Sequence, residues 1–361
     1  MQSTFLPTSS VATRPILSIC IATLNRGSVI AQTLESIVCQ LDSRVQVLIL
    51  DGASTDNTRD VVQSYVDRSP AIKYHRQEVN SGIDKDYDIA VSLSDGQYCW
   101  LMTDDDLLMP GAIDRVLGAI ETDPDLVVIN AEIRTADLST MLQTRRLPIN
   151  SDMALADGDA ARFFELAADY LSFIGGVVMR KSTWLDRDRL RYFGTLFVHV
   201  GVIFQSPKLR RITLLHEPLI AIRYGNAMWT PRGFEIWMFK WPKLIWSFAA
   251  YSDEAKRAVC PADPWRRSAT LLAMRANGAY SIVEYKKFLQ QQAPGFRRGM
   301  AHLIARLPAR AVNIAAILFW LLFSRRVGTG IYDIARSRHA GWLGRWCETR
   351  FLSCRDLTAS R

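Results

Sequence analysis

The chain has 361 residues, of which 49% are hydrophobic and 22% charged, so it can bury a sizeable core and lacks the composition of a disordered protein. Its formal net charge of +8 is concentrated in residues 297–361, whose twelve Arg, no Lys and three acidic residues favour an anionic partner. The six Cys form no CxxC pair, so we expect reduced core cysteines and neither a zinc site nor a disulfide framework, and we expect no secretory signal.

Residues 1–15 are rich in Ser, Thr and Pro and are predicted to be a loose leader. Apolar runs that are typical of buried strands then alternate with helical patterns. The predicted strands are 16–25, 45–50, 71–77, 97–102 and 126–130, and the predicted helices are 28–41, 54–69, 84–94 and one that begins at Pro110. This alternation predicts an α/β fold with a mainly parallel central sheet covered on both faces. Residues 160–225 are expected to be mixed α/β, and residues 234–250 and 265–323 to be helical.

Three polar clusters, Thr23–Arg26, Asp51–Asp56 and Asp104–Asp106, directly follow predicted strands. Ligands of such sheets bind beyond the carboxyl ends of the strands, so we expect the three clusters to outline one site.

The sharpest of these clusters is the run of three carboxylates Asp104, Asp105 and Asp106. Their mutual repulsion is costly unless a cation offsets it. Carboxylate oxygens suit Mg²⁺ or Mn²⁺, which proteins commonly hold together with substrate phosphates. A solvated acidic turn at the start of a helix is the alternative.

Asp51 ends the second strand and can accept hydrogen bonds from a base or ribose, whereas Ser54–Asp56 are explained equally well as caps of the next helix. Asp84 and Lys85 start the helix before the acidic strand. Lys85 can meet a phosphate, or the two residues can simply form a capped turn.

Four segments, in this order and at this spacing, resemble the family 2 glycosyltransferases of the GT-A fold. They are ICIATLNR (19–26), LILDGASTDNT (48–58), NSG (80–82) and DGQYCWLMTDDD (95–106). The stretch 82–105, with FIGG (173–176) and FVHV (197–200), is similar to the O-antigen abequosyltransferase type.

The resemblance implies a metal-dependent nucleotide-sugar site, in which Asp104, Asp105 and Asp106 match the metal-binding DxD element. Many members have an additional Asp where this chain has Thr103, so the identity of the liganding Asp stays open. The implied nucleotide-sugar-binding residues are Thr23, Arg26, Asp51, Asp84, Lys85 and Asp104, and Arg223 is either a diphosphate clamp or an ordinary surface residue.

Inverting members of the family use an Asp or Glu as general base near the acceptor, but the matching region here contains His199. With an unperturbed pKa of about 6.5, a His can accept the proton of the acceptor hydroxyl. A core histidine is the alternative, and Asp186 and Asp188 are rival candidates for the catalytic base.

For the acceptor, Gly175 and Gly176 would let the backbone approach a sugar closely, or they form a tight entry to a strand. Trp184 could stack on a sugar ring, although a buried Trp is the simpler expectation.

The apolar stretch Ala311–Phe323 has thirteen residues, fewer than the roughly twenty that span a bilayer. Arg306 and Arg310 precede it, and Arg325 and Arg326 follow it. This pattern indicates either an interfacial anchor on anionic lipid or a core helix packed against residues 236–250. Nucleic acid is not expected as a partner, because no binding motif is present.

We therefore expect three regions: the leader 1–15, a GT-A domain 16–230 and a helical, basic extension 231–361. Within the domain, 16–130 is the nucleotide-binding half and 131–230 the acceptor half. The activity that the resemblance implies is inverting, Mg²⁺- or Mn²⁺-assisted transfer of a sugar, with a deoxyhexose as the candidate, from a nucleoside-diphosphate sugar to a lipid-linked saccharide of surface polysaccharide. We expect it at the inner face of the cytoplasmic membrane.

Two alternatives remain at this level. One is a non-catalytic module that binds nucleotide sugar or protein. The other is a sugar-nucleotide pyrophosphorylase, which should carry a Gly-rich basic loop after the first strand, where this chain has Thr23–Arg26.

Overall fold

The computed structural model describes residues 14–226, 230–292, 295–324 and 328–352. The predicted leader 1–15 lies outside the described residues except for its last two positions.

The described chain contains a ten-stranded mixed sheet. Along its main path the strand order is β3-β2-β1-β4-β9-β6-β10-β5, with β7 paired to β6 and β8 to β10. The strands are β1 Leu17–Thr23, β2 Val45–Asp51, β3 Ile72–Arg76, β4 Tyr98–Met102, β5 Leu107–Leu108, β6 Leu126–Arg134, β7 Met141–Gln143, β8 Met153–Leu155, β9 Val177–Arg180 and β10 Ile212–Arg223.

The first four strands in this order are parallel to one another, which confirms the predicted α/β class. Every residue of β1, β2 and β4 is buried, because helices cover both faces of the sheet and leave no polar side to the strands. The parallel pair β6 and β10 completes the sheet, and β9 lies antiparallel between β4 and β6.

Helices connect the strands in the first part of the chain. They are α1 Ile30–Val38, α2 Thr58–Val66, α3 Ile83–Leu93, α4 Ala112–Ile120, α5 Ala160–Ala167, α6 Lys181–Leu185 and α7 Val198–Phe204. In α1, the buried residues Ile30, Thr33, Leu34 and Ile37 follow the predicted helical spacing.

The chain beyond residue 230 is helical where it is described. Its α-helices are α8 Gly233–Glu235, α9 Trp241–Trp246, α10 Asp253–Val259, α11 Ser268–Ala276, α12 Ile282–Glu284, α13 Gly295–Arg306, α14 Ala309–Phe319, α15 Thr329–Arg336 and α16 Trp342–Cys347. Single π-helical segments follow four of them, at Ile236–Lys240, Tyr285–Leu289, Trp320–Ser324 and Glu348–Leu352.

This helical region has an apolar core of its own around Phe234, Trp265, Tyr280 and Ile304. A second set of its residues, including Ile317 and Tyr332, joins the core of the sheet domain.

Among the described residues, no single helix is long and apolar enough to cross a bilayer. The pair Gly295–Arg306 and Ala309–Phe323 reaches the required length and composition only together, and it is bent by 94° at the break.

Candidate active site

A cleft of about 440 Å³ opens at the carboxyl ends of β1 and β4. Its walls come from the loops after these strands, from the start of α3, from the segment leading into α7, and from the helical region beyond residue 230. The sequence-predicted residues that line it are Thr23, Arg26, Asp84, Asp104, Asp105 and His199.

Asp104 and Asp105 form an acidic pair at the floor of the cleft, directly after β4. Each is only 9% exposed. Arg26 bridges the two carboxylates, with its Nε 3.3 Å from Asp104 Oδ1 and its Nη2 3.2 Å from Asp105 Oδ2. The Asn226 amide also donates to Asp105 Oδ2, at 3.2 Å.

Burial dominates the electrostatics of this pair. It raises the pKa of Asp104 to about 7, with Arg26 opposing the shift and the neighbouring Asp105 adding to it. Burial also raises the pKa of Asp105, again against the attraction of Arg26. One guanidinium therefore compensates the buried charge of two carboxylates only in part, and the pair can accept further positive charge.

The expectation that all three carboxylates act together needs correction, because Asp106 does not line the cleft. Its Oδ2 accepts a hydrogen bond from the Thr103 hydroxyl at 2.5 Å, and its Oδ1 accepts one from the Arg223 backbone N–H at 2.7 Å. Asp106 therefore fastens the acidic loop to the end of β10. Within the described residues no group of three His, Cys, Asp or Glu side chains has the arrangement of a metal site.

Arg223 is neither a diphosphate clamp nor a surface residue in this structure. It is 8% exposed and does not line the cleft. Its side chain donates to the backbone oxygens of Asp105 and Ala136 at 2.9 and 2.8 Å, and to Gln32 Oε1 at 2.5 Å. The residue thus holds the backbone that carries the acidic pair.

Asp51 is fully buried at the end of β2 and does not line the cleft. Its carboxylate accepts hydrogen bonds from the Ser54 backbone N–H at 2.7 Å and from the Tyr74 hydroxyl at 2.5 Å. These bonds shape the turn after the strand, so contact with a ligand requires the turn to rearrange.

The start of α3 supplies one predicted residue and one that the sequence did not single out. Asp84 lines the cleft, but its oxygens accept the backbone N–H groups of Leu196 and Val198 at 2.9 and 3.0 Å. Lys85 is exposed and does not line the cleft. Asp86 does line it, held at 2.6 Å by Gln77.

His199 lies at the first turn of α7 and is 2% exposed. Its Nε2 is 2.7 Å from the Leu171 carbonyl oxygen, which can only accept, so Nε2 carries the proton and Nδ1 keeps its lone pair. Nδ1 is buried and has no hydrogen-bond partner within the described chain. Burial lowers the pKa of His199 to about 4, which the bond to Leu171 opposes.

The rival bases and the predicted acceptor residues do not belong to the cleft. Asp186 and Asp188 are exposed and lie elsewhere. Trp184 is fully buried and donates from Nε1 to Asp88 Oδ1 at 2.9 Å, so it has no face for a sugar.

Gly175 and Gly176 are also buried, and neither lines the cleft. A Cβ at Gly175 would lie 2.4 Å from the Phe173 ring, and one at Gly176 would lie 2.6 Å from the Tyr170 hydroxyl. Internal packing therefore explains both glycines, and their predicted approach to an acceptor is not needed.

One wall of the cleft has no signal in the sequence apart from Phe197, which belongs to the segment FVHV (197–200). Arg232, Ile236 and Trp237 reach it from the helical region, and Leu196 and Phe197 adjoin them. The rings of Phe197 and Trp237 are 6.1 Å apart. An apolar stretch with helical spacing is expected to be core, so only the packing of the two regions identifies these residues as cleft residues.

Comparisons with known proteins find similar sequences and similar folds. The model of the family "Glycosyl transferase family 2" matches residues 18–187. The abequosyltransferase RfbV of Salmonella typhimurium is 26% identical over 340 residues, which is 86% of this chain and 99% of that protein. A chondroitin synthase of Escherichia coli is 30% identical over 34% of this chain and 18% of its own length.

Two solved structures share the fold at low sequence identity. Staphylococcus aureus TarS 1–349 in complex with UDP superposes with a TM-score of 0.53 at 14% identity, covering 84% of this chain and 86% of that one. The mannosyltransferase PcManGT from Pyrobaculum calidifontis in complex with GDP-Man and Mn²⁺ gives 0.50 at 14% identity, covering 87% and 89%. Residues 18–187 therefore resemble the family 2 glycosyltransferases, the chain is similar to an abequosyltransferase over most of its length, and it shares the fold of these solved structures.

Proposed function

We propose that this enzyme transfers a glycosyl group from a nucleoside-diphosphate sugar to a hydroxyl of a saccharide acceptor in surface-polysaccharide synthesis. The observation that carries the proposal is the buried pair Asp104 and Asp105 in the cleft, bridged by Arg26. Two carboxylates and a guanidinium at one strand end suit a diphosphate that is bound together with a cation, because the carboxylates can hold the cation and the guanidinium can pair with the phosphates.

The donor is supported by the solved structures of similar fold, which contain UDP, UDP-GlcNAc or GDP-Man. In the proposed complex the nucleotide lies along the Thr23, Asn80 and Asp86 side of the cleft, and the diphosphate lies near Arg26. Asp51 contributes to donor binding indirectly, because its carboxylate fixes the turn after β2.

The cleft fits Mg²⁺ or Mn²⁺. Two adjacent carboxylates, incompletely compensated by one Arg, are a common protein contribution when substrate phosphates supply further oxygens. A bound metal supplies Lewis acidity that stabilises the departing diphosphate. Asp104 and Asp105 would hold it, while Arg26 would turn from the acids toward the phosphates.

The acceptor side of the cleft is formed by Phe197, His199, Ile236 and Trp237. In the proposal, reaction with inversion requires a base on this side, and we assign that role to His199, whose unpartnered but buried Nδ1 must become accessible to the acceptor hydroxyl when the acceptor binds. We expect His199→Gln to lower kcat about 100-fold while donor-induced stabilisation stays unchanged.

The transferred sugar is proposed to be a deoxyhexose. Apolar side chains, Ile174, Leu196 and Ile236 among them, form much of the wall of the cleft. A mainly apolar wall favours a sugar that has a methyl or methylene in place of a hydroxyl, because fewer polar groups of the sugar are left unpaired.

The acceptor is proposed to be a lipid-linked saccharide that the enzyme meets as a peripheral protein at the inner face of the cytoplasmic membrane. Residues 16–130 would bind the nucleotide, 131–230 would contribute to the acceptor side, and 231–361 would complete the cleft and face the membrane. The abequosyltransferase relative, which this chain matches over nearly its full length, supports a role in surface polysaccharide.

A thermal-shift screen with UDP-, GDP-, CDP- and dTDP-sugars, with and without Mn²⁺, tests the donor site. A donor at about 100 times its Kd should stabilise the protein by about 2.7 kcal/mol through mass action. We expect Asp104→Asn and Asp105→Asn to abolish the Mn²⁺-dependent part, and the exposed control Asp60→Asn to keep it.

Stabilisation by Mn²⁺ and donor that persists in both acid variants would refute the site. Binding without turnover across a panel of saccharide acceptors would instead refute the transferase proposal in favour of a binding module.

A further inference from the structure

The surface of α14 and the π-helical turn after it is amphipathic. Asn313, Ile317 and Trp320 recur at helical spacing and are buried. The opposite side, which we call the α14 face, consists of the exposed apolar residues Ile314, Leu318, Phe319, Leu322 and Phe323. Their exposure rises along the helix from 41% at Ile314 to 74% at Phe323.

The buried side of α14 anchors it firmly to its neighbours. The Asn313 side chain donates to the backbone oxygens of Ala276 in α11 and Ile334 in α15, at 2.9 and 2.8 Å. The helix therefore packs on α11 and α15, and the alternative that it is a core helix against residues 236–250 accounts for neither these contacts nor the exposed face.

Other features of a membrane interface surround the α14 face. The adjoining helix α16 exposes Trp342 to 72%, with Arg345 exposed beside it. Arg306, the last residue of α13, and Arg310, in the first turn of α14, are also exposed. Trp and Arg around an apolar helix are typical of segments that lie in the headgroup region of a bilayer.

The charge of this region is strongly one-sided. The described residues 295–352 contain eight Arg, no Lys and two acidic residues. Both acids have protein partners: Asp333 accepts from the Tyr224 hydroxyl at 2.8 Å, and Glu348 pairs with Arg336 at 3.1 Å. The predicted flanking residues Arg325 and Arg326 lie outside the described residues.

An exposed apolar face can be covered by a second copy of the chain or by a lipid bilayer, and the surrounding positive charge favours one of these two. In a symmetric dimer, the same surface of a second copy would bring like-charged arginines together. Anionic headgroups instead offer a complementary charge to every exposed Arg, and the acyl region receives the apolar side chains.

We propose that the α14 face docks on an anionic phospholipid bilayer, inserting Leu322 and Phe323 below the headgroups while Arg306, Arg310 and Arg345 contact the phosphates. The interaction is peripheral, and it is independent of the sugar chemistry in the cleft.

The same helical region is tied to the acidic pair. In α15, the Tyr332 hydroxyl lies 3.3 Å from the backbone N–H of Ala136, and the Asp333 carboxylate accepts from Tyr224. Tyr224 is followed within two residues by Asn226, which donates to Asp105. Docking by α14 therefore holds the cleft in a defined orientation to the membrane.

Co-sedimentation of the full chain with vesicles tests the proposal. We expect at least tenfold stronger partitioning to vesicles of equal parts phosphatidylcholine and phosphatidylglycerol than to phosphatidylcholine alone. The double variant Leu322→Ser/Phe323→Ser should lose at least tenfold, and so should Arg310→Glu/Arg345→Glu. The control Leu190→Ser changes a residue that is 73% exposed on the sheet domain and should bind like the unchanged protein.

Equal partitioning of the α14 double variant and the unchanged protein would overturn the proposal, as would equal binding to neutral and anionic vesicles. A dimer in light scattering without vesicles that Leu322→Ser/Phe323→Ser dissociates would overturn it in favour of a second copy. Unchanged melting temperatures and donor-induced stabilisation in the variants establish that any loss of binding is not a loss of folding.

Discussion

At the scale of single residues, adjacent side chains of one loop have different tasks. Asp105 faces the cleft, whereas Asp106 accepts bonds from Thr103 and from the backbone of Arg223. The sequence predicts that acids gather at this strand end, because strand ends of a parallel sheet share an edge. It does not predict which acid points inward, since that depends on contacts with β10, more than a hundred residues away.

The pH dependence of the free energy of unfolding tests whether His199 is buried. Its folded-state pKa of about 4 lies below its ordinary value of 6.5, so folding favours the neutral ring. The resulting stability is fully present above about pH 6.5 and is lost as the pH falls toward about 4. Between about pH 7.5 and about pH 5 this residue should account for a loss of about 2 kcal/mol.

Urea unfolding at the two pH values measures this loss. We expect His199→Gln to reduce the pH-dependent loss by about that amount, and His75→Gln, at an exposed position, to leave it unchanged. Equal pH dependence in all three proteins would show that His199 is solvated.

At the scale of elements, apolar runs between polar strand ends correctly predicted β1 to β4 and β6. The antiparallel strand β9, Val177–Arg180, was foreseen only in the alternative interpretation of Gly175 and Gly176 as a strand entry, and its bounds and direction were not predicted, because four residues between short helices carry little periodic signal. This strand also explains the preceding glycines, which bring the chain close to Tyr170 and Trp100.

Gly176→Ala tests that explanation. The new Cβ would lie 2.6 Å from the Tyr170 hydroxyl and 2.8 Å from the Ile129 carbonyl oxygen, so we expect a loss of about 1–3 kcal/mol in unfolding free energy. Gly158→Ala, where a Cβ meets nothing within 4 Å, should stay within about 0.5 kcal/mol. A Gly176 variant of unchanged stability but weakened acceptor binding would restore these glycines to the acceptor site.

At the scale of the whole molecule, the helical region is part of the cleft. Ile236 and Trp237 close one wall, and Tyr224 and Tyr332 connect the region to the loop beside the acidic pair. Composition predicted the helices and their basic charge. It could not place them against the sheet, because which apolar faces meet is decided by tertiary packing.

Trp237→Ala should therefore affect one substrate more than the other. We expect the KM for the acceptor to rise about tenfold, since the variant removes an aromatic wall worth about 1.4 kcal/mol or more. Donor-induced stabilisation should change little, because Arg26, Asp104 and Asp105 are untouched. Equal effects on both substrates would indicate that Trp237 supports the cleft as a whole.

The most direct measurement is the anomalous scattering of manganese in crystals soaked with Mn²⁺ and the nucleoside-diphosphate sugar that gives the largest thermal shift. We expect a manganese peak within coordination distance of the Asp104 or Asp105 carboxylate, with diphosphate oxygens beside it and Arg26 turned toward the phosphates. A manganese peak elsewhere, with Arg26 still bridging the two acids and the nucleotide outside the cleft, would contradict it.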